Sequence, residues 1–223
     1  MPATQDLHVH THFSDGNNSV EAVAQRAAIV GLEAVALTDH FWPSLGAREG
    51  GQDVILERRQ LIEEARSQWP TVTLLDGVEV DVDLNGEIAS VAGGLEQFDL
   101  VIFSIHHSCT SQVWASAVDR ALRKYSPNIL GHWSAMLTSY RAEDGERVAG
   151  ILADHGVAIE LNLRYGIGNR DFLERARDLG CSFSLGSDSH SIETIGRLKD
   201  YMQIAQAMGL PLIDGKSLRR VGH

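Results

Sequence analysis

Cysteine is nearly absent from this chain. Cys109 and Cys181 stand far apart and form no Cys-x-x-Cys pair, which excludes a disulfide framework and a thiolate zinc site. Lysine occurs only at 124, 199 and 216, and none of these falls at the end of a predicted strand. No apolar run approaches the roughly 18 residues of a membrane span. Residues 1–6 lack a signal-peptide pattern, so a cytoplasmic protein is expected. Positive charge is in deficit, with 19 Lys and Arg against 30 Asp and Glu and a net charge of −11. Such a field repels long nucleic acids and anionic membranes. A small phosphorylated substrate stays admissible, because bound cations would reverse the local field. Repeats, low-complexity segments and linkers are missing too. A length of 223 residues with 43% hydrophobic content therefore reads as a single domain over 1–223. Nothing in the pattern favours a monomer over an oligomer.

Histidine, by contrast, is plentiful, with ten in the chain. The stretch Asp6-Leu7-His8-Val9-His10-Thr11-His12 sets the pattern. It reads as a strand, where alternate side chains share a face. His8 and His10 then point together, as do Asp6 and His12. Two imidazoles a few Å apart on one face make half a site for a divalent metal.

The rest of the chain alternates strands with helices. Ser19 reads as an N-cap, with Val20, Val23, Ala27 and Val30 at helical spacing and Gly31 as the stop. Strands are predicted over 33–38, 72–79, 100–104, 128–131, 157–162 and 182–186. Helices are predicted over 54–69, 113–124, 146–155, 169–179 and 192–208. Residues 41–51, with Pro43 and several glycines, read as a loop or lid, and 80–90 as a hairpin tipped by Asn85-Gly86. About seven short apolar strands joined by helices predict a parallel sheet buried on both faces. An open doubly wound sheet and a closed barrel both fit this. The polar strand ends favour the barrel, since only a curled sheet brings them to one point.

Those ends carry His8, His10, His40, Glu79, His106, His132, Asp188 and His190, with Asp15 in the first loop. Nine nitrogen and oxygen donors exceed the needs of one ion, and a carboxylate can bridge two, so two or three divalent ions are expected. Imidazole with carboxylate suits zinc, manganese or iron better than calcium or magnesium.

The motifs Asp-Leu-His-Val-His-Thr at 6–11, Thr-Asp-His at 38–40, Gly-Val-Glu at 77–79, Ser-Ile-His at 104–106, Gly-His at 131–132, Glu-Leu-Asn at 160–162 and Gly-Ser-Asp-Ser-His at 186–190 come in an order that resembles the PHP family, named for polymerase and histidinol phosphatase. The resemblance implies an α/β fold, a distorted (β/α)7 TIM-like barrel with parallel strands and a trinuclear metal centre. By motif, His8, His10, Glu79 and Asp188 would hold one ion. Glu79 would bridge to a second, with His106 and His132. Asp15, His40 and His190 would hold the third, although many members carry a histidine where Asp15 stands. The implied chemistry is phosphoester hydrolysis by a metal-bridging hydroxide, with Glu79 and Asp188 as catalytic residues.

Arg164 and Arg197 are candidate phosphate clamps, each weighed against an ordinary surface arginine. Asn162 could orient a ligand, and His107 could line the pocket. His12, Trp42, Trp114 and Trp133 are further pocket candidates, Trp133 first among the tryptophans, while Trp69 reads as packing. Arg170 and His155 read as helix-end residues, and His223 is terminal. Asp6 is expected to accept from His8 or His10, or from the backbone. Three readings follow: a phosphomonoesterase on a small metabolite such as histidinol phosphate; a phosphodiesterase or nuclease on nucleotides or short oligonucleotides; or a non-enzymatic PHP domain, whose mark is loss of ligands. No ligand position is lost here. An amidohydrolase-type centre would call for a strand-end lysine, which the chain lacks.

Overall fold

The computed structural model describes residues 4–41 and 51–218. Trp42, His223 and most of the loop expected over 41–51 lie outside them.

The chain runs β1 (Gln5–Val9), α1 (Val20–Val30), β2 (Ala34–Leu37), α2 (Gln52–Gln68), β3 (Thr73–Asp81) and β4 (Leu100–Ser104). It continues β5 (Cys109–Thr110), α3 (Ser111–Leu122), β6 (Ile129–Leu130), β7 (Leu137–Ser139), α4 (Ala142–His155) and β8 (Ala158–Asn162). Then come α5 (Arg170–Asp178), β9 (Phe183–Gly186), α6 (Lys199–Met208) and a 3-10 turn, Gly215–Leu218. Seven strands form one sheet in the order β1-β2-β3-β4-β6-β8-β9, and every adjacent pair is parallel.

The sheet curls until its edges meet. Just past β1, the His10 amide donates to the Ser189 carbonyl at 2.9 Å, and the Asp188 amide donates to the His8 carbonyl at 2.8 Å. This makes a nearly closed barrel and sets the open sheet aside. Because the strands are parallel, their C-terminal ends share one rim. Below it, Leu7, Ala36, Leu75, Ile102, Ile129 and Ala158 form a cluster drawn from strands alone. The opposite strand faces pack against the helices. No helix of the described residues is long and apolar enough to cross a membrane.

Several predicted bounds shift for local reasons. Ser19 caps α1, its hydroxyl accepting from the Ala22 amide, and Gly31 closes it at φ 79°, as expected. The last helix begins at Lys199 rather than near 192, because Gly196 takes φ 75° and its amide is held by Asp6. The expected hairpin is an Asp83 turn with a single bridge, Val82 to Ile88. β5 and β7 form a small separate sheet that no periodicity announced.

The start of α4 also moves back, to Ala142. Asp144, the third residue of that helix, accepts from Arg141 through both oxygens at 2.8 Å and from the Ser111 hydroxyl at 2.6 Å. An acid here favours the helix dipole and ties α4 to α3. The Arg141 hydrogen bond holds the Asp144 carboxyl down at about 2. Because that folded value lies below the unfolded one, the stabilisation is present above about pH 4 and is lost as pH falls towards 2. Arg141 is half exposed, so we expect Asp144→Asn to cost only about 1 kcal/mol at neutral pH. Urea midpoints at about pH 7 and about pH 2.5 check this: the gap between variant and wild type should close at the lower pH.

Candidate metal centre

The rim residues reach one point because each lies in, at or just past the C-terminal end of its strand. His8 and His10 come from β1 and its end, His40 from just after β2, and Glu79 from within β3. His106 and His132 follow β4 and β6, and Asp188 and His190 follow β9. His132 takes φ 22° and Asp188 φ 54°, both unusual for residues with a side chain. Such backbone persists only where surroundings fix it. Here the His132 amide donates to Glu160 Oε2 at 2.7 Å, and Asp188 is held by His8.

Glu79 is the hub. Its Oε2 lies 3.1, 3.3 and 3.4 Å from Nε2 of His8, His10 and His40. Its Oε1 lies 2.9 Å from His132 Nε2 and 3.6 Å from His106 Nε2. Four overlapping groups have donor atoms within 4.8 Å of one another: His8, His10 and Asp188; His10, Asp15 and His190; His10, His40 and Glu79; Glu79, His106 and His132. All nine predicted donors thus come together. His40 falls with Glu79, while His190 Nε2 faces Asp15 Oδ2 at 2.9 Å.

The donor chemistry fits divalent ions. The His8 Nδ1 meets Glu160 Oε1 at 2.8 Å, and the His106 Nδ1 meets Asp81 Oδ1 at 3.2 Å. A carboxylate outside each ring selects Nδ1–H and turns the Nε2 lone pair inward, as metal-binding histidines require. The His8 and His10 Nε2 atoms lie only 3.1 Å apart, a pairing that a shared cation satisfies. The charges also interlock. Burial alone would raise the Glu79 carboxyl, but the imidazoles of His8 and His40 and hydrogen bonds from His10 and His132 hold it well below its usual range. Burial opposes charge on His10, yet hydrogen bonds to Asp188 and Glu79 lift it to about 9. Burial pushes His40 down to about 4.

The rim encloses a cavity of about 410 Å³. Besides the donor side chains, Arg164 and Tyr165 line it. Arg164 Nη1 lies 2.6 Å from His190 Nδ1, and the Tyr165 ring is 5.0 Å from that of His132. Asn162 is buried and does not line the cavity; its Nδ2 donates to Glu160 at 3.0 Å and to Asp188 at 3.3 Å. Arg197 is exposed and outside the lining. His107 turns outward, 59% exposed, at 3.9 Å from Asp81. His12 is exposed against Phe13. Trp114 and Trp133 do not line this cavity; they pack in the core with Phe172 in tilted and edge-on contacts, because their large apolar rings gain more there.

Asp6 does not share a face with His8. The β1–β2 register shifts between Asp6 and Val9, and of the two expectations for Asp6 the backbone one holds: it accepts from the Ser187 amide at 2.8 Å and the Gly196 amide at 2.9 Å. Burial lifts its carboxyl to about 6.

Glu160, Asp81 and Tyr165 were not among the predicted site residues. Glu160 had a signal: an acid inside a buried strand whose other residues before Asn162 are apolar needs a buried partner. Gly186 makes room for it, since a Cβ there would lie 2.0 Å from Glu160 Oε1 and 2.7 Å from His8 Cβ. Gly16 likewise lets the first loop fold back, because a Cβ would fall 2.3 Å from the His10 carbonyl oxygen.

Comparison with known proteins agrees with the geometry. The family model described as PHP domain matches residues 6–164. The DNA polymerase/3'-5' exonuclease PolX of Bacillus subtilis (strain 168) is 26% identical over 202 residues, which is 87% of this chain. The match spans only 35% of that larger protein. A protein of Thermoanaerobacter sp. (strain X514) named as a probable phosphatase is 26% identical, covering 94% of this chain and 88% of its own. Among solved structures, the histidinol phosphate phosphatase of Lactococcus lactis subsp. lactis, in complex with zinc, L-histidinol and phosphate, superposes with a TM-score of 0.73. It is 19% identical, covering 96% of this chain and 97% of that one, and shares the fold.

Proposed function

The chain belongs to the PHP domain family, and on that premise we propose that it is a phosphomonoesterase acting on a small phosphorylated metabolite at a centre of three divalent ions. One observation carries this reading: Glu79 meets imidazole nitrogens through both of its oxygens, so a single buried carboxylate can serve two ions. We assign His8, His10, Glu79 and Asp188 to the first ion, and Glu79, His106 and His132 to the second. Asp15, His40 and His190 take the third. Zinc, manganese or iron suits this imidazole-rich set. Bound there, the ions would neutralise phosphate charge and acidify a water for attack.

The protein's own groups supply the rest. Glu160 and Asp81 keep the His8 and His106 rings turned inward. Arg164, on the cavity wall, would hold a phosphate oxygen and release its contact with His190 to do so. Asn162 acts on Asp188 rather than on substrate. Arg197 and His107 stand away from the cavity and take no part in this assignment.

The cavity of about 410 Å³ suits a small metabolite, and the histidinol phosphate phosphatase of the same fold, which holds L-histidinol and phosphate, supports that substrate class. A panel of an aryl phosphate, an aryl phosphodiester, histidinol phosphate and nucleoside monophosphates tests it. Monoester turnover well above diester turnover is expected. The reverse order would favour the nuclease reading that the exonuclease relative suggests. Within the same panel, Arg164→Gln should raise KM about 10-fold or more, with a smaller change in kcat, because it removes ground-state binding of phosphate.

A further inference from the structure

Arg58 projects from α2, outside the donor cluster, and yet is fully buried. A guanidinium in that position needs partners for its charge and its N–H groups. Its Nη1 donates to Asp39 Oδ2 at 2.8 Å and to the Leu37 carbonyl at 3.0 Å. Its Nη2 donates to the Gly77 carbonyl at 2.7 Å and to Asp76. Its carbon Cζ sits 4.8 Å from the centroid of Phe41.

Two arms leave this arginine. The Asp76 arm turns away from the rim; Asp76 is also held by Arg59 Nε at 2.7 Å, and its amide by Asp99 at 2.9 Å. The Asp39 arm goes to the rim. Asp39 Oδ1 accepts from the Thr11 amide at 2.6 Å and from the Ser14 hydroxyl at 2.9 Å. The Thr11 hydroxyl lies 2.9 and 3.0 Å from its two oxygens. Thr11 follows His10, Ser14 precedes Asp15, and Asp39 precedes His40. The Gly16 amide closes the same turn onto the Thr11 carbonyl at 3.0 Å. One carboxylate therefore anchors chain next to three metal-donor positions. Only an ionised acid has the lone pairs for so many donors, and the arginine fork both charges and orients it.

We propose that Arg58 and Asp39 form a positioning pair for the third ion, fixing Asp15 and His40 relative to each other. This rests on the metal reading above. Neither residue touches the reacting groups; their action is through Thr11, Ser14 and the end of β2. Lysine at 58 would not suffice, because an ammonium is a point charge without the two-armed geometry.

The experiment compares metal uptake and the melting temperature of the chelated protein across variants. Manganese is titrated calorimetrically into wild type, Asp39→Ala, Asp76→Ala, Arg58→Lys and the double variant Thr11→Val/Ser14→Ala. The double variant removes the hydroxyl anchors, with them the 3.2 Å contact of the Ser14 hydroxyl with Asp15 Oδ1, and leaves the buried charges in place; Asp39→Ala and Arg58→Lys keep both hydroxyls and so report the pair itself. Its weakest metal step should lose about 10-fold or more in affinity while the tighter steps remain, as should that of Asp39→Ala and Arg58→Lys. Asp76→Ala should lower the melting temperature yet keep every metal step. Unchanged metal binding in the double variant would overturn the inference. So would an equal loss in Asp76→Ala, which would make the effect general destabilisation. If wild type itself takes up no metal, the reading beneath falls, and this inference with it.

Discussion

Glu79→Ala is expected to abolish turnover, with kcat/KM down by about 10³ or more, and to remove at least one ion per chain. The carboxylate faces His8, His10 and His40 with one oxygen and His132 and His106 with the other. No neighbouring acid can replace both contacts: Asp188 lies 3.4 Å from His10 and 4.0 Å from His8, on the first side only. Glu79→Asp should therefore fall between wild type and alanine, reaching one side but not both. Metal analysis of each variant, with aryl phosphate turnover on the same samples, checks the order. Full activity in Glu79→Ala would mean that hydrolysis occurs somewhere other than this rim.

Glu160→Gln is expected to weaken metal binding about 10- to 100-fold while leaving the fold in place. Glu160 accepts from the His8 ring, the His132 amide and the Asn162 side chain. A glutamine keeps the volume but must turn an NH₂ towards one of those donors. Either the His8 ring loses its acceptor or the His132 backbone, already at φ 22°, loses its anchor. Competitive titration with a zinc chelator reads the affinity. Turnover at saturating metal should recover much of the loss, which separates an orienting role from direct participation. An unchanged affinity would show that the His8 ring is held by something else.

The parts of the molecule written in local pattern were legible from the chain. Alternating apolar strands and helices implied a parallel sheet, the polar strand ends favoured its closure into a barrel, and Ser19 and Gly31 marked the ends of α1 because caps depend on nearest neighbours. Eight of the nine predicted donors meet because each lies near the C-terminal end of a strand of one sheet, and Asp15, in the first loop, is brought to them against His190 and His10. What escaped depended on contacts between distant segments. The 192–208 helix pattern was cut short by Asp6, which holds Gly196 from the far end of the chain. Asp6 itself left the His8 face through a register shift that no alternation rule can foresee. Trp133, next to a donor in sequence, points to the core with Phe172. Arg58 carries no local signal of burial in its helix, and only the fold brings Asp39 and Asp76 against it.

If the rim holds several ions and uses them on phosphoesters, metal content and turnover must rise and fall together. The direct measurement is the metal content per chain before and after chelation, with phosphomonoester hydrolysis followed on the same samples. About three ions per chain are expected, with loss of turnover on their removal and recovery on adding zinc or manganese. Turnover that survives complete metal removal, or a fully loaded chain that hydrolyses no phosphoester, would contradict it.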